Sequence, residues 1–153
     1  MENVKKYRVK LDAEKHPVLH EEAEYLYFKQ MDKTQDIVDL CDFIYHLSDA
    51  AEEYVIMIAV NTKGKVLGIF EISHGSVSQS MCGAREIYLR ALIVGASAIC
   101  LVHNHPSGDP TFSDFDRKCF RHMKKAGQII GIALLDFIII GDNGRYVSEM
   151  ENI

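Results

Sequence analysis

The chain has 153 residues, of which 48% are apolar, and a formal net charge of −5. That is enough for one hydrophobic core and too little for two ordinary domains. The acidic balance argues against strong non-specific binding to nucleic-acid phosphates, so nucleic acid is an unlikely partner for this chain on its own.

Met1 to Lys10 has no apolar core and does not read as a signal peptide. Val4 to Leu11 alternates polar residues with Tyr7, Val9 and Leu11, consistent with a peripheral strand. Residues 12–32 are charged and irregular, with some helix expected around Glu21 to Lys29. Thr34 to Leu47 reads as a helix with Ile37, Leu40, Cys41, Ile44 and Leu47 on one face. Tyr54 to Val60 is an apolar strand, and Asn61-Thr62-Lys63-Gly64 turns it into a second, Lys65 to Ser73, as a hairpin. A helix from Arg85 to Val94 stops at Gly95.

Ser97 to Val102 is a continuous apolar run, as in a strand buried on both faces. By alternation Ile99, Leu101, His103 and His105 share one side, and Asn104 faces the other with Val102 and Cys100. Pro106-Ser107-Gly108-Asp109-Pro110 must be a loop. Ser113 then opens a helix with Phe115, Cys119, Met123 and Ala126 at helical spacing, and Gly127 sits where it would stop. Ile132 to Ile140 is a strand, followed by an Asp142-Asn143-Gly144 turn and a short strand through Tyr146 and Val147. The longest apolar run, Ile129 to Ile140, is broken by Asp136 and too short to span a membrane. Residues 1–49 read as an N-terminal strand and helix, part of or packed on a core domain formed by 50–153. Cysteines 41, 82, 100 and 119 show no paired spacing, which suggests reduced thiols in a cytoplasmic protein.

His103-Asn104-His105, with Ser113 and Asp116 downstream, carries the chemistry. Two imidazoles at i and i+2 of an extended segment point the same way, and Asp116 can close a third position. Two His and one carboxylate, with no fourth protein ligand, suit a catalytic zinc that keeps a position open for water. One zinc per chain is therefore expected. Ser113 followed by Asp116 also reads as an N-cap with a carboxylate at N3, and the two readings are compatible. Arg117, Lys118, Arg121, Lys124 and Lys125 crowd the same helix. They read as a solvated face, with an acidic partner as the alternative.

The segment His103 to Pro110 with Ser113 and Asp116 resembles the JAMM motif of the JAB/MPN metalloproteases, in the form carried by bacterial RadC-like proteins. Arg85-Glu86-Ile87 and Gly131-Ile132-Ala133-Leu134-Leu135-Asp136 resemble flanking segments of that family, so the similarity covers roughly residues 50–148. The chain departs from the family pattern at Ala84 and Phe112, where Pro is usual, and at Phe137, where His is common. The resemblance implies an α/β fold of the JAB/MPN (cytidine-deaminase-like) kind, a mixed sheet flanked by helices. It also implies one zinc on His103, His105 and Asp116, with a Glu as general base.

The base candidates are Glu52, Glu53, Glu71 and Glu86. The resemblance favours Glu53, immediately before Tyr54-Val55-Ile56. Glu52 would face the opposite way, and Glu86 suits a helix start. Glu71, in an otherwise apolar strand, is the rival, unless it sits at a strand edge or pairs with Arg85. Ser113 is placed to donate a hydrogen bond to a developing oxyanion. The expected function is a zinc-dependent metallopeptidase or isopeptidase acting on a peptide or protein. The alternatives are a DNA-repair or mobile-element accessory protein of the RadC type and an inactive zinc scaffold.

Overall fold

The structure, a computed structural model, describes residues 2–27, 32–75 and 83–151. Along the chain run β1 (Glu2–Leu11), β2 (Pro17–Tyr27), α1 (Thr34–Tyr45), β3 (Glu53–Val60), β4 (Val66–Gly75), α2 (Ala84–Val94), β5 (Ala98–Asn104), α3 (Asp114–Ile130), β6 (Ala133–Ile140) and β7 (Tyr146–Ser148). The strands form one mixed sheet, ordered β2-β1-β4-β3-β5-β6-β7, in which β1 with β4 and β5 with β6 are the parallel pairs. This is the expected α/β architecture.

The central strands β3 and β5 are buried on both faces, which is why they are apolar almost without a break. Every residue of β5 is buried. Successive side chains of β3 and β5 enter different cores. Val55, Met57, Ile99 and Leu101 pack with Ile87 and Tyr88 of α2 and Met123 of α3. Ile56, Ile58, Cys100 and Val102 pack with Val38, Leu40 and Cys41 of α1. The site lies on the first of these faces, where β5 ends and α3 begins.

Four expectations are corrected. Residues 17–27, read as irregular with some helix from Glu21, form the long strand β2 against β1, and residues 28 and 29 lie outside the described residues. The pairing of β1 with β2 shifts register between Lys6 and Tyr7, so the period-2 pattern of β2 is interrupted at Glu22. Helix α3 does not stop at Gly127 but runs to Ile130 and is capped by Gly131, at φ +85°. Gly127 is there for close packing: a Cβ on it would come within 2.5 Å of the Tyr88 hydroxyl. Phe115 is 38% exposed, and the buried stripe of α3 is Asp116, Cys119, Met123 and Gly127. Finally, Cys41 and Cys100 are free thiols but Cys119 is held in a disulfide, so not all four cysteines are reduced.

Candidate metal centre

His103 and His105 leave the carboxyl end of β5 on the α3 side of the sheet, and Asp116 meets them from the first turn of α3. One ligand atom from each of the three lies within 4.8 Å of the others. The Nε2 of His103 is 3.7 Å from Asp116 Oδ1, and that of His105 is 3.4 Å from Oδ2. Bonds of about 2.0–2.2 Å to a tetrahedral zinc require ligand atoms roughly 3.4 Å apart, so this spacing fits.

Backbone carbonyls set the ring orientations. His103 Nδ1 lies 3.1 Å from the Tyr54 carbonyl and His105 Nδ1 2.8 Å from the Asp109 carbonyl. A carbonyl can only accept, so each ring donates from Nδ1 and leaves the Nε2 lone pair facing Asp116. Burial pushes the His103 pKa below its ordinary value, helped by the neighbouring His105, which keeps it neutral as a ligand must be. His105 moves the other way because Asp116 sits beside it. For Asp116, burial is the largest single influence and opposes ionisation. The contacts from His105 and Ser113 outweigh it together and hold the carboxyl below its usual range.

Ser113 is the N-cap of α3. Its Oγ accepts from the Asp116 N–H at 3.1 Å, while its own N–H and hydroxyl both donate to Asp116 Oδ2 at 2.7 Å. The capping box and the ligand set thus share one carboxylate, which is why a charged residue is buried here at 2% exposure.

The two rival glutamates lie on opposite faces. Val55 pairs with His103 across β3 and β5, and Glu53 precedes Val55 by two residues on the same face. Its carboxylate favours the protonated form of both His103 and His105. Glu71 pairs with Ile56 on the α1 side, where it takes a 2.6 Å hydrogen bond from His74 Nδ1. Its partner is therefore His74 rather than Arg85, the alternative the sequence offered. Arg85 instead bonds Glu86 at 3.1 Å, and the Glu86 carboxyl is held low by its own backbone N–H and then by Arg85. Glu52 lies 3.9 Å from His74, also away from the histidine pair.

The loop after His105 is bolted to the β6–β7 turn. The Gly108 carbonyl accepts from Asp142 N at 3.0 Å and from Arg145 Nη2 at 2.9 Å, and Arg145 Nε also bonds Asp142 at 3.0 Å. Gly108 has φ +87°, and a Cβ on it would meet the Asp142 carboxylate at 2.5 Å. Sequence reading missed Tyr54, Asp109 and Arg145 as supports. The first two act through carbonyls that any residue carries, and only the Asp-Asn-Gly turn hinted at the third. Phe112 and Phe137 meet in a tilted ring contact at 5.8 Å beside the start of α3, with the Arg117 guanidinium over Phe112 at 5.5 Å. His122 is exposed on α3 and apart from the ligand cluster.

Comparison with known proteins agrees with the motif. A family model for RadC-like JAB domains matches residues 31–152. A UPF0758 protein of Pelobacter propionicus is 43% identical over 109 residues, covering 71% of this chain and 47% of that protein. One from Moorella thermoacetica is 47% identical over 94 residues, 61% of this chain and 41% of the relative. One from Geobacter sulfurreducens is 40% identical over 104 residues, or 68% and 45%. The chain thus matches somewhat less than half the length of each of these curated relatives.

Proposed function

Since the chain belongs to the RadC-like JAB domain family, we propose that it is a zinc-dependent hydrolase that cleaves a peptide or isopeptide bond. The observation that carries this reading is the pair of imidazoles, each held at Nδ1 by a carbonyl, with both Nε2 atoms converging on Asp116. His103, His105 and Asp116 are the residues that would hold the metal. When bound there, zinc supplies a Lewis acid and a water able to lose a proton near neutrality.

The chain's own groups do the rest. Glu53 stands on the histidine face of β3, partly buried, and takes the role of general base: it accepts a proton from water and returns it to the leaving nitrogen. Ser113 is exposed at the mouth of the site, and its hydroxyl, directed at Asp116 in this structure, turns to donate to the carbonyl oxygen as negative charge builds there. The Asp109 and Tyr54 carbonyls prevent the rings from turning. Phosphodiester cleavage more often recruits two metals, and the described residues contain one cluster of this kind. That favours an amide over a nucleic-acid substrate.

The test is incubation of the zinc-loaded protein with a peptide and isopeptide library. Cleavage should be lost on chelation and restored by zinc. Metal-dependent DNA cleavage that disappears in His103→Ala, with no peptide cut, would overturn the proposal.

A further inference from the structure

Asn104 lies between the two histidines, is 1% exposed, and points to the face opposite them. A buried amide there needs partners, since a desolvated donor or acceptor left unpaired is costly. It finds them all on one stretch of chain. Its Oδ1 accepts from the Tyr54 N–H at 2.7 Å. Its Nδ2 donates to the Glu52 carbonyl at 3.0 Å and the Leu47 carbonyl at 3.3 Å. The backbone ladder between β3 and β5 ends at the Val55–His103 pair, so the Asn104 side chain continues it where the main chain stops.

The residue enclosed by these bonds is Glu53. Its preceding carbonyl and its following N–H are both tied to Asn104, and the next carbonyl, that of Tyr54, holds His103 Nδ1. We infer that Asn104 is a positioning residue that fixes the Glu53 backbone against the metal-ligand strand. Resting on the hydrolase reading above, this makes the Asn104 side chain set the distance between the base and the ligand pair without hydrogen bonding to the side chain of either. Only a side chain with both an acceptor and two donors can span the N–H and the carbonyls. An ionised carboxylate at this position would keep the bond to the Tyr54 N–H and lose those to the two carbonyls, because it has no proton to donate.

The experiment compares wild type, Asn104→Ala and Asn104→Ser in three readouts: zinc stoichiometry, amide hydrogen exchange at Tyr54, and hydrolysis. Asn104→Ala should keep its zinc and exchange the Tyr54 amide at least about tenfold faster, while Ile56 and Val102 stay protected. Hydrolysis should fall in kcat by ~10²-fold, the cost of a misplacement of about 1 Å, with KM changed less than about twofold. Asn104→Ser, which retains a short donor and acceptor, should lie between the two and serves if the alanine variant does not fold. Unchanged Tyr54 exchange in either variant, or loss of zinc together with activity, would overturn the inference. A wild type that binds zinc and cleaves nothing would instead defeat the hydrolase reading, while the exchange data would still decide whether Asn104 holds this segment.

Discussion

Helices α1 and α3 begin alike and do different things. Each carries an Asp at the third position, Asp36 and Asp116, whose carboxylate accepts backbone N–H groups of the turn before it. Asp36 bonds the N–H groups of Asp32 and Lys33 at 3.2 and 3.0 Å and is partly exposed. Asp116 has the same local task, but the adjoining strand delivers two imidazoles to it, and its side chain is buried. A capping carboxylate becomes a candidate ligand when the tertiary structure places two imidazoles opposite it. The Asp at N3 is common to both helices, although the N-cap is Lys33 in α1 and Ser113 in α3, so capping and ligation are not competing explanations of Asp116.

The comparison is broken most sharply by removing each carboxylate. Asp116→Ala should abolish stoichiometric zinc binding, a loss beyond the ~10–100-fold that outer-shell partners cost. Asp36→Ala should leave zinc untouched and lower folding stability by about 1 kcal/mol. Metal analysis and denaturant unfolding of both variants would check this, and full zinc occupancy in Asp116→Ala would break the account.

Ser113→Ala separates capping from chemistry on a single residue. Loss of the cap should cost about 1 kcal/mol of stability, whereas loss of an oxyanion donor should lower kcat by ~10²–10³-fold. A stability loss with kcat unchanged would leave Ser113 a cap alone.

How far the sequence foretold this site depends on which partners a residue needs. The H-x-H spacing, the buried run of β5 and Ser113 with Asp116 were legible, because alternation and capping are local rules. The buried stripe of α3 was misphased onto Phe115, since apolar periodicity does not expect a carboxylate inside a helix face. Gly127 looks like a helix end, but it leaves room for the Ile132 carbonyl, which a Cβ would meet, and for the Tyr88 hydroxyl, 2.5 Å from that Cβ position, which comes from the remote α2. Strand β2 was missed because its acidic sequence and the shift at Lys6/Tyr7 hide the alternation. The faces of Glu53 and Glu71 became distinct only when β3 was seen paired with β5 on one side and β4 on the other.

The smallest effect belongs to the opposite face. Hydrogen bonding to Glu71, with the charge of Glu71 and Glu52, raises the His74 pKa. A group raised in this way stabilises the fold below its unfolded value of about 6.5 and loses that contribution as pH rises through its folded value. The contact is solvent-exposed, so the effect on stability is slight. In Glu71→Gln the His74 titration midpoint, followed by NMR, should move down while zinc binding stays as in wild type. A midpoint that does not move would show that Glu71 is not the partner of His74.

Glu53 is proposed as a base acting beside the metal, distinct from its ligands. Zinc content and peptide hydrolysis measured together in Glu53→Gln test it most directly. Full zinc occupancy with hydrolysis lost is the expected result. A Glu53→Gln protein that still cleaves its substrate, alongside an inactive Glu71→Gln, would contradict it.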